Sequence, residues 1–411
     1  MHIPQDVPGI YLEVYGCSMN RGEAMRLAEL AAERGWRLCR RPEDAQLAVV
    51  ASCVVVQSTE KRVAHRIRQL SGMLPVVVYG CMASARPEVA VNAGAAHLVK
   101  PLDYSTFEGI LGTAGSPQPY GMEAGIADVP ICSGCMGSCT FCITKLARPA
   151  LRSVPPEDIT AAVRKAADRG AYEVHLSAQD AAVYGRDLGT SLPELIKAVG
   201  SLDGQFMVRV GMMNPDTLKP IFREVLDAYT STRVYRFLHV PVQSGSDSVL
   251  ERMGRRYTAG EFRELVDRYR GAFRDAVVAT DVICGFPGEE EEDFEATLRL
   301  LEDVRPEVLN IKGYSSRPGT RAHRWRHPPS QVMKERTRVI TEMHERRWEA
   351  VGDGMLGRVV DVLVTETGKR GTMKGRTRAY MQVVLDGGTP GTWVAAEVTG
   401  HGTGYLRAAI I

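Results

Sequence analysis

The chain has 411 residues, 44% of them hydrophobic and 24% charged, with a formal net charge of +2. Its composition is that of a globular protein of two or three domains, at about 100–200 residues per domain, and its near-neutral charge excludes strong non-specific attraction to nucleic acid. No apolar run approaches the roughly 20 residues that span a bilayer, and the first residues lack the charged start and apolar core of a signal peptide, so we expect a cytoplasmic protein without a membrane anchor.

Residues 1–112 alternate between strand and helix patterns. The predicted strands cover residues 10–15, 46–51 and 75–79, and the predicted helices cover residues 23–34, 61–70 and 87–93. Apolar strands that alternate with helices are typical of a parallel sheet covered on both faces. This segment is therefore predicted to be an α/β domain with a doubly wound parallel sheet.

Three cysteines of this segment, Cys17, Cys53 and Cys81, each follow a predicted strand by one or two residues. Open α/β sheets bind ligands at the carboxyl ends of their strands. In a reducing compartment cysteines indicate metal binding or catalysis rather than disulfides. The three matching positions predict a three-thiolate cluster site, with inert buried thiols as the alternative. Cys39 and Cys284 are interpreted as core residues.

Residues 113–128 are rich in glycine and proline, which predicts a linker. Residues 129–350 then repeat the alternation with longer units. The predicted strands cover 173–177, 206–211, 235–241, 279–285 and 308–314, and the predicted helices cover 157–169, 192–199, 217–228, 259–273, 291–304 and 332–350. This pattern predicts a complete or partial (β/α) barrel of the TIM type, whose functional site lies at the carboxyl ends of its strands.

Three further cysteines, Cys135, Cys139 and Cys142, have the spacing CxxxCxxC. Because a chain extends at most about 3.3–3.6 Å per residue, this loop holds its three sulfurs in one small region. An ordinary [4Fe–4S] cluster takes four cysteines, so three ligands would leave one iron open to a substrate or cofactor. Two alternatives involve Cys132. Cys132 could complete two CxxC pairs that bind zinc, although the two pairs of such sites are normally about 15–20 residues apart. Alternatively, Cys132 could be the fourth ligand of an electron-transfer cluster.

Residues 355–411 consist of short alternating stretches separated by glycine-rich turns, which predicts a small antiparallel β-barrel. Basic residues outnumber acidic ones here, and Tyr380, Trp393 and Tyr405 are interleaved with them. Base stacking on aromatic rings contributes about 1–3 kcal/mol per base, while positive charge follows the nucleic-acid backbone. We therefore expect RNA binding, with a solvated basic face over core aromatics as the alternative. The expected RNA-binding residues are Lys369, Arg370, Lys374, Arg376 and Arg378.

The order of two cysteine triads and a basic β-barrel resembles the methylthiotransferases of the radical S-adenosylmethionine superfamily. The first segment matches through Tyr-Gly-Cys17-Ser-Met-Asn, Ser-Cys53-Val-Val and Gly-Cys81-Met-Ala, and the tail resembles a TRAM domain. The chain is most similar to the archaeal and eukaryotic branch of that family. That similarity rests on the segments at 184–190, 209–215, 237–247, 285–289 and 314–320.

The resemblance implies two [4Fe–4S] clusters, one on Cys135, Cys139 and Cys142 and an auxiliary one on the other triad. It also implies S-adenosylmethionine as a cofactor, a low-potential electron donor, and a monomer that acts on tRNA. The expected reaction adds a methylthio group to carbon 2 of N6-threonylcarbamoyladenosine at position 37, beside the anticodon of tRNAs that read A-starting codons. That carbon is unreactive towards polar nucleophiles, so a cofactor has to supply radical chemistry.

Other functions stay open at this point. The acceptor could instead be isopentenyladenosine in tRNA or an aspartate of a ribosomal protein. A non-catalytic iron–sulfur protein that binds RNA is a further alternative.

The resemblance also indicates residues for the cofactor. Phe141 is expected against its adenine, with a core aromatic as the alternative. Arg209 is expected to pair with its carboxylate, because a guanidinium favours bidentate contact with one, although a structural ion pair with Asp180 is the alternative. The polar residues expected near the carboxyl ends of barrel strands are Gln179, Asp180, Arg209, Gln243 and Ser244.

The chain departs from the family pattern at four places, one of which is Val56 in place of a basic residue near Cys53. Pro149 replaces a glycine after the cysteine loop, and Ala51-Ser52 replaces an Asn-Thr pair before Cys53. An acidic cluster of the first domain is reduced to Glu23. None of these departures removes a thiolate, so the expectation of two clusters is unchanged.

Overall fold

The structure is a computed structural model, and it describes residues 7–116 and 125–411. Half of the predicted linker at 113–128, residues 117–124, lies outside the described residues, and its last residues 126–128 belong to a strand (Ile126–Pro130), so the predicted linker extends too far. Within the two described ranges, no helix combines the length and the apolar character that crossing a bilayer requires.

The first part of the chain folds into a five-stranded sheet in which every pair of neighbours is parallel. Its order is β2-β1-β3-β4-β5. The strands are β1 (Gly9–Val14), β2 (Arg37–Cys39), β3 (Leu47–Ser52), β4 (Val76–Gly80) and β5 (His97–Val99). The helices are α1 (Ser18–Glu33), α2 (Gln57–Ser71), α3 (Cys81–Ala85), α4 (Pro87–Asn92) and α5 (Tyr104–Leu111). The predicted parallel α/β domain is confirmed, and its central strands β3 and β4 are buried on both faces.

The central part is an open barrel of parallel strands. It consists of two three-stranded sheets with the orders β10-β9-β6 and β11-β12-β13. Two backbone hydrogen bonds join these sheets: the N–H of Val208 donates to Arg233 O at 2.7 Å, and the N–H of Tyr235 donates to Val208 O at 3.0 Å. The strands are β6 (Ile126–Pro130), β9 (Glu173–Ser177), β10 (Met207–Val210), β11 (Phe237–His239), β12 (Val277–Cys284) and β13 (Val308–Gly313), with a separate two-residue pair, β7 (Cys132–Ser133) and β8 (Arg152–Ser153). A partial (β/α) barrel is therefore the observed form.

Helices cover the outside of this barrel. They are α6 (Thr144–Ala147), α7 (Pro156–Asp168), α8 (Leu192–Gly200), α9 (Pro215–Leu218), α10 (Phe222–Ala228), α11 (Asp247–Arg252), α12 (Ala259–Ala272), α13 (Glu291–Val304) and α14 (Ser330–Asp353). The single helix predicted at 217–228 is broken into α9, a 3₁₀ turn and α10, because Pro220 has no N–H to continue an α-helix. Strand β6, which was not predicted, begins three residues before the predicted start of this part.

The last part is a closed five-stranded barrel with the order β14-β15-β16-β18-β17. Its strands are β14 (Val359–Thr367), β15 (Met373–Thr377), β16 (Gln382–Leu385), β17 (Trp393–Gly402) and β18 (Tyr405–Ile410). The predicted small barrel is confirmed, but one pair, β16 with β18, is parallel rather than antiparallel. The strand pattern did not indicate this, because the parallel pair forms only where the barrel closes.

The three parts pack against each other. Trp348 of α14 is buried in the core of the C-terminal barrel and donates to Glu307 O at 2.9 Å. Leu363 and Ala379 of the C-terminal barrel pack on the strand starts of the central barrel. Ion pairs between the first and central parts include Arg21–Asp128 at 2.6 Å, Glu23–Arg148 at 2.6 Å and Glu60–Arg317, and Glu29 also pairs with Lys165 at 2.9 Å and Arg169 at 3.2 Å.

Candidate active site

Cys17, Cys53 and Cys81 lie at the carboxyl ends of β1, β3 and β4, which are neighbours in the sheet. Because these strands are parallel, their ends meet at one edge, as the sequence predicted. The turn before Cys17 requires glycine: Gly16 has a φ of +114°, and a Cβ there would lie 2.8 Å from the Cβ of Cys53. The sheet thus presents three cysteines at a single edge.

Polar side chains hold the turns that carry these cysteines. The Ser52 hydroxyl donates to Tyr79 O at 2.6 Å and accepts from the N–H of Met82 at 3.1 Å, which fixes the turn at Cys81. The Asn20 amide donates to Tyr15 O at 2.8 Å and to Ser52 O at 2.9 Å, which ties the turn at Cys17 to β3. The serine that departs from the family pattern therefore has a structural role at this edge.

The loop with Cys135, Cys139 and Cys142 runs between β7 and α6. It is anchored at its two ends, where the N–H of Gly134 donates to Gln179 Oε1 at 2.7 Å and the N–H of Thr140 donates to Met253 O at 2.9 Å. These hydrogen bonds fix the loop at the carboxyl end of the central barrel, next to β9.

All six cysteines line one cavity of about 460 Å³ between the first and central parts. We call this space the cysteine cavity. Its wall also includes Asn20, Phe141, Lys145, Arg148, Gln179, Arg209, Asn214, His239, Gln243 and Arg255. The two triads, which belong to different domains, therefore face one common space.

Burial affects the thiols of this cavity. It raises the pKa of Cys81 to about 11, although the nearby guanidinium of Arg148 acts in the opposite direction. It also raises the pKa of Cys135 to about 11, and it raises the pKa values of Cys53 and Cys139. At neutral pH these thiols are therefore protonated before a metal binds, and metal binding has to release their protons.

A buried ion pair joins the two halves of the cavity wall. Arg148, six residues after Cys142, donates to both carboxylate oxygens of Glu23 at 2.6 and 2.7 Å and to the Ser133 hydroxyl at 2.7 Å. Both charged side chains are fully buried. The pair fixes helix α1 against the cysteine loop, close to Cys81.

Cys132 does not line the cysteine cavity. It is fully buried in the core of the central barrel, and its Sγ lies 3.8 Å from Asp180 O. This position favours a core residue over a fourth cluster ligand. It also argues against the zinc alternative, which requires Cys132 as a ligand.

Of the residues expected to bind the cofactor, Phe141, Gln179, Arg209 and Gln243 line the cavity. Phe141 packs edge-on against Phe286, with ring centroids 6.0 Å apart.

The structure does not bring Asp180 and Ser244 into the cavity, and their expected role is corrected. The Asp180 carboxylate is buried and accepts from Asn214 N–H at 3.1 Å and from the Thr217 hydroxyl at 2.7 Å. The Ser244 hydroxyl accepts from Ser246 N–H at 3.2 Å. Their hydrogen-bonding capacity is used within the barrel, and Asp180 forms no ion pair with Arg209 among the described residues.

Arg255 is a wall residue that the sequence analysis missed. Its guanidinium packs over the Phe141 ring at 5.6 Å and donates to Asn214 Oδ1. It also interacts electrostatically with Cys139 and Cys142. Arg255 belongs to the run Met-Gly-Arg-Arg, more than a hundred residues after the cysteine loop. The sequence therefore does not indicate that its side chain lies beside that loop.

The donors and the space of the cysteine cavity fit iron–sulfur clusters. Each triad supplies thiols, the ligands that such clusters use. The absence of a side chain at Gly137 leaves space beside two of these thiols. A Cβ at that position would lie 3.3 Å from the Sγ of Cys135 and 3.7 Å from the Sγ of Cys139. In the ranges that the structure describes, no three His, Cys, Asp or Glu side chains are grouped so that they could hold one metal ion. The thiols instead surround a larger space.

The residues expected to bind RNA are arranged in two ways. Lys369 and Arg370 are exposed in a turn, Arg378 is exposed over the Trp393 ring at 4.6 Å, and Lys374 lies 3.9 Å from Glu366. Arg376 instead faces the central barrel, where its guanidinium lies 4.8 Å from the centroid of the Tyr380 ring. Arg376 therefore differs from the other four residues in lining a space between two domains.

Three family models match successive parts of the chain. Residues 9–99 match the uncharacterized protein family UPF0004, residues 129–301 match the radical SAM superfamily, and residues 354–411 match the TRAM domain.

Similar proteins cover nearly the whole chain. A protein of Pyrococcus horikoshii named "Probable threonylcarbamoyladenosine tRNA methylthiotransferase" is 36% identical over 98% of this chain and 99% of its own length. The threonylcarbamoyladenosine tRNA methylthiotransferase of Drosophila melanogaster is 35% identical over 92% of this chain and 73% of its own length.

Solved structures share the fold. The radical S-adenosylmethionine methyltransferase TsrM from Kitasatospora setae superposes with a TM-score of 0.58 over 77% of each chain, at 13% sequence identity. At that identity the likeness concerns the fold alone.

Proposed function

The chain belongs to the threonylcarbamoyladenosine tRNA methylthiotransferase family of radical S-adenosylmethionine enzymes, and we propose that it uses two [4Fe–4S] clusters to add a methylthio group to carbon 2 of N6-threonylcarbamoyladenosine in tRNA. The observation that carries this proposal is the common cavity of the two cysteine triads. A radical at the base and a sulfur donor have to meet at one atom, so both triads have to face the same substrate.

The two triads have different roles in this proposal. When bound, one S-adenosylmethionine and the cluster at Cys135, Cys139 and Cys142 would supply the radical, the cluster at the other triad would supply or bind the sulfur, and another S-adenosylmethionine would supply the methyl group. The protein itself orients these groups. Its anchored cysteine loop, its strand-end turns and the Arg148–Glu23 pair hold the two sets of thiols at one cavity.

The wall offers a binding site for S-adenosylmethionine beside the loop triad. In this proposal Arg255, and not Arg209 as expected from the sequence, is the cation for the methionine carboxylate, because it interacts with the thiols of this triad and packs over Phe141. Gln243 offers an amide to polar groups of the cofactor. Phe141 also borders an adjoining space of about 260 Å³ that includes Met212 and Ile283, which suits an adenine ring.

The target base lies in a single-stranded anticodon loop, so turning it into the cavity costs less than the few kcal/mol of flipping a base out of a duplex. The exposed basic residues of the TRAM domain bind the phosphate backbone of the tRNA in this proposal. Arg378 and Trp393 lie together on the surface of the TRAM domain. The enzyme acts as a monomer with an external low-potential electron donor in this proposal.

The proposal is tested with anaerobically reconstituted protein and anticodon stem–loop RNAs. RNA with threonylcarbamoyladenosine should gain a methylthio group, detected by mass spectrometry of its nucleosides, while RNA with isopentenyladenosine should not. A methylthio product from the isopentenyl RNA or from a ribosomal protein would show that the proposed acceptor is wrong. Absence of deoxyadenosine formation, with about four irons or fewer per chain, would favour a non-catalytic protein.

Replacing Cys53 with alanine separates the two triads. The variant should still form deoxyadenosine from S-adenosylmethionine, because the loop triad is intact, but it should give no methylthio product. Its iron content should fall from about eight to about four per chain. Cys39→Ala, at a thiol outside the cysteine cavity, is the matched control and should keep both reactions. A Cys53 variant that still transfers sulfur would remove the second cluster from the proposal.

A further inference from the structure

A second cavity lies inside the central barrel, next to the cysteine cavity. Its volume is about 270 Å³, and its wall includes Arg209, His239, Asn310, Arg376 and Tyr380. Arg209 and His239 also line the cysteine cavity, so the two spaces adjoin at these side chains. We call this second space the lumen pocket.

The TRAM domain closes the lumen pocket with Tyr380. The Tyr380 hydroxyl donates to Glu173 Oε1 at 3.2 Å and lies 3.3 Å from His175 Nε2, and both residues belong to β9. Tyr380 has a φ of +70°, a left-handed conformation that a bulky residue keeps only when its surroundings hold it. Since Arg376 packs on the same ring, two domains build this one pocket.

Glu307 lines the lumen pocket and pairs with Arg270 at 2.8 Å. Three further acidic side chains of the barrel interior also have partners. Their hydrogen bonds therefore leave little capacity for a further cation. The pairs are Asp128 with Arg21 at 2.6 Å and His175 at 3.0 Å, Glu173 with His175 at 2.5 Å and Tyr235 at 2.9 Å, and Asp281 with His239 at 2.7 Å.

Arg209 and Arg376 form no ion pair with the residues that the structure describes. Arg209 packs over the rings of Phe237 and Tyr380 at 5.1 and 5.4 Å, and its buried Nε has no hydrogen-bond partner. Arg376 donates a hydrogen bond to Gln382 Oε1 at 3.1 Å. Both arginines are half-buried, and Arg376 helps to lower the pKa of the Glu173 carboxyl, but among the described residues no carboxylate forms an ion pair with either guanidinium. Two guanidinium groups that face one pocket without an ion pair indicate an anionic ligand.

We propose that the lumen pocket binds the threonylcarbamoyl substituent of the target nucleoside, and that Arg209 and Arg376 pair with its carboxylate. This inference rests on the proposed function, in which the base itself occupies the adjoining cysteine cavity. Asn310 and Gln382 offer amide groups to the hydroxyl and urea groups beside that carboxylate. An isopentenyl substituent would leave both guanidinium groups unpaired, so the pocket selects against it.

The test uses the reconstituted full-length protein and anticodon stem–loop RNAs that carry threonylcarbamoyladenosine or its neutral methyl ester. Fluorescence anisotropy measures the dissociation constants, so the readout does not depend on turnover. The wild type should bind the acid at least about tenfold more tightly than the ester, as charge-assisted hydrogen bonds predict. Arg209→Met and Arg376→Met should each lower that ratio to about two or less, because one half of the carboxylate site is lost.

Two further variants keep the test decisive. Arg378→Met, at an exposed arginine outside the lumen pocket, should weaken binding of acid and ester in equal proportion. Arg209→Lys keeps the charge without the planar fork, so it should retain part of the acid preference even if the methionine variants do not fold.

Several outcomes would overturn the inference. These are a wild type that does not prefer the acid, methionine variants that keep the full preference, and an Arg209→Met variant that loses only S-adenosylmethionine cleavage. A wild type that prefers the acid in binding but forms no methylthio product would instead contradict the proposed function.

Discussion

Replacing Cys139 with alanine should abolish reductive cleavage of S-adenosylmethionine. The loop supplies three thiols to the cysteine cavity, and a variant with two of them has too few ligands to hold a [4Fe–4S] cluster with one open iron. Deoxyadenosine formation, measured by chromatography after reduction with dithionite, should fall to background. Iron should fall from about eight to about four per chain, since the other triad is unchanged.

Cys132→Ala is the matched control for this experiment. Cys132 lies only three residues before Cys135 but is buried in the barrel core, away from the cavity. The variant should therefore keep its iron and form deoxyadenosine at the wild-type rate. If it lost cleavage as Cys139→Ala does, a four-thiolate cluster would be the better description and the proposed open iron would be wrong.

Replacing Glu23 with glutamine should destabilise the contact between the first domain and the barrel by about 3–5 kcal/mol, because it leaves the buried charge of Arg148 unpaired. The first transition in urea denaturation should shift to lower concentration. Hydrogen–deuterium exchange should increase in α1 and in the segment after Cys142, the two segments that the pair joins.

Glu33→Gln provides the control on the same helix. Glu33 is exposed and pairs with Arg26 at 3.3 Å, and exposed pairs contribute about 0–1 kcal/mol. The double variant Glu23→Leu with Arg148→Met should regain much of the lost stability, since apolar replacement of both partners of a buried pair is often neutral. A Glu23 variant that unfolds and exchanges like the wild type would show that the pair does not hold the domains together.

The six cysteines of the cavity could be singled out from the sequence because their signals are local. The CxxxCxxC spacing lies within one loop, and Cys17, Cys53 and Cys81 each follow a buried apolar strand. Such strands are recognisable individually, and parallel pairing places their ends at one edge. The three domain types were predicted for the same reason, from strand–helix alternation and from glycine-rich turns.

A common cavity for the two triads was expected from the family resemblance, but the contacts that hold it together join distant residues and were beyond sequence reasoning. Glu23 and Arg148 are separated by 125 positions, and neither has a pattern that indicates the other. Asp180 shows the same limit. It follows a strand end, as a ligand would, yet partners 34 and 37 positions away use its carboxylate.

The inward position of Arg376 depends on how the TRAM barrel packs on the central barrel. Basic composition predicts only that such a surface is positive. It does not tell which arginine faces a neighbouring domain.

Helix α1 begins directly after Cys17, and it is attached to the barrel through Arg21 and Glu23 in its first two turns. A swing of the first domain that carried the Cys17 sulfur towards a distant acceptor would have to break both attachments, one of them fully buried. Catalysis by moving whole domains is therefore disfavoured in this protein. Under the proposed function, the nucleotide itself would have to cross the gap between the two triads, which makes insertion of the base from the anticodon loop the motion to follow in kinetic experiments.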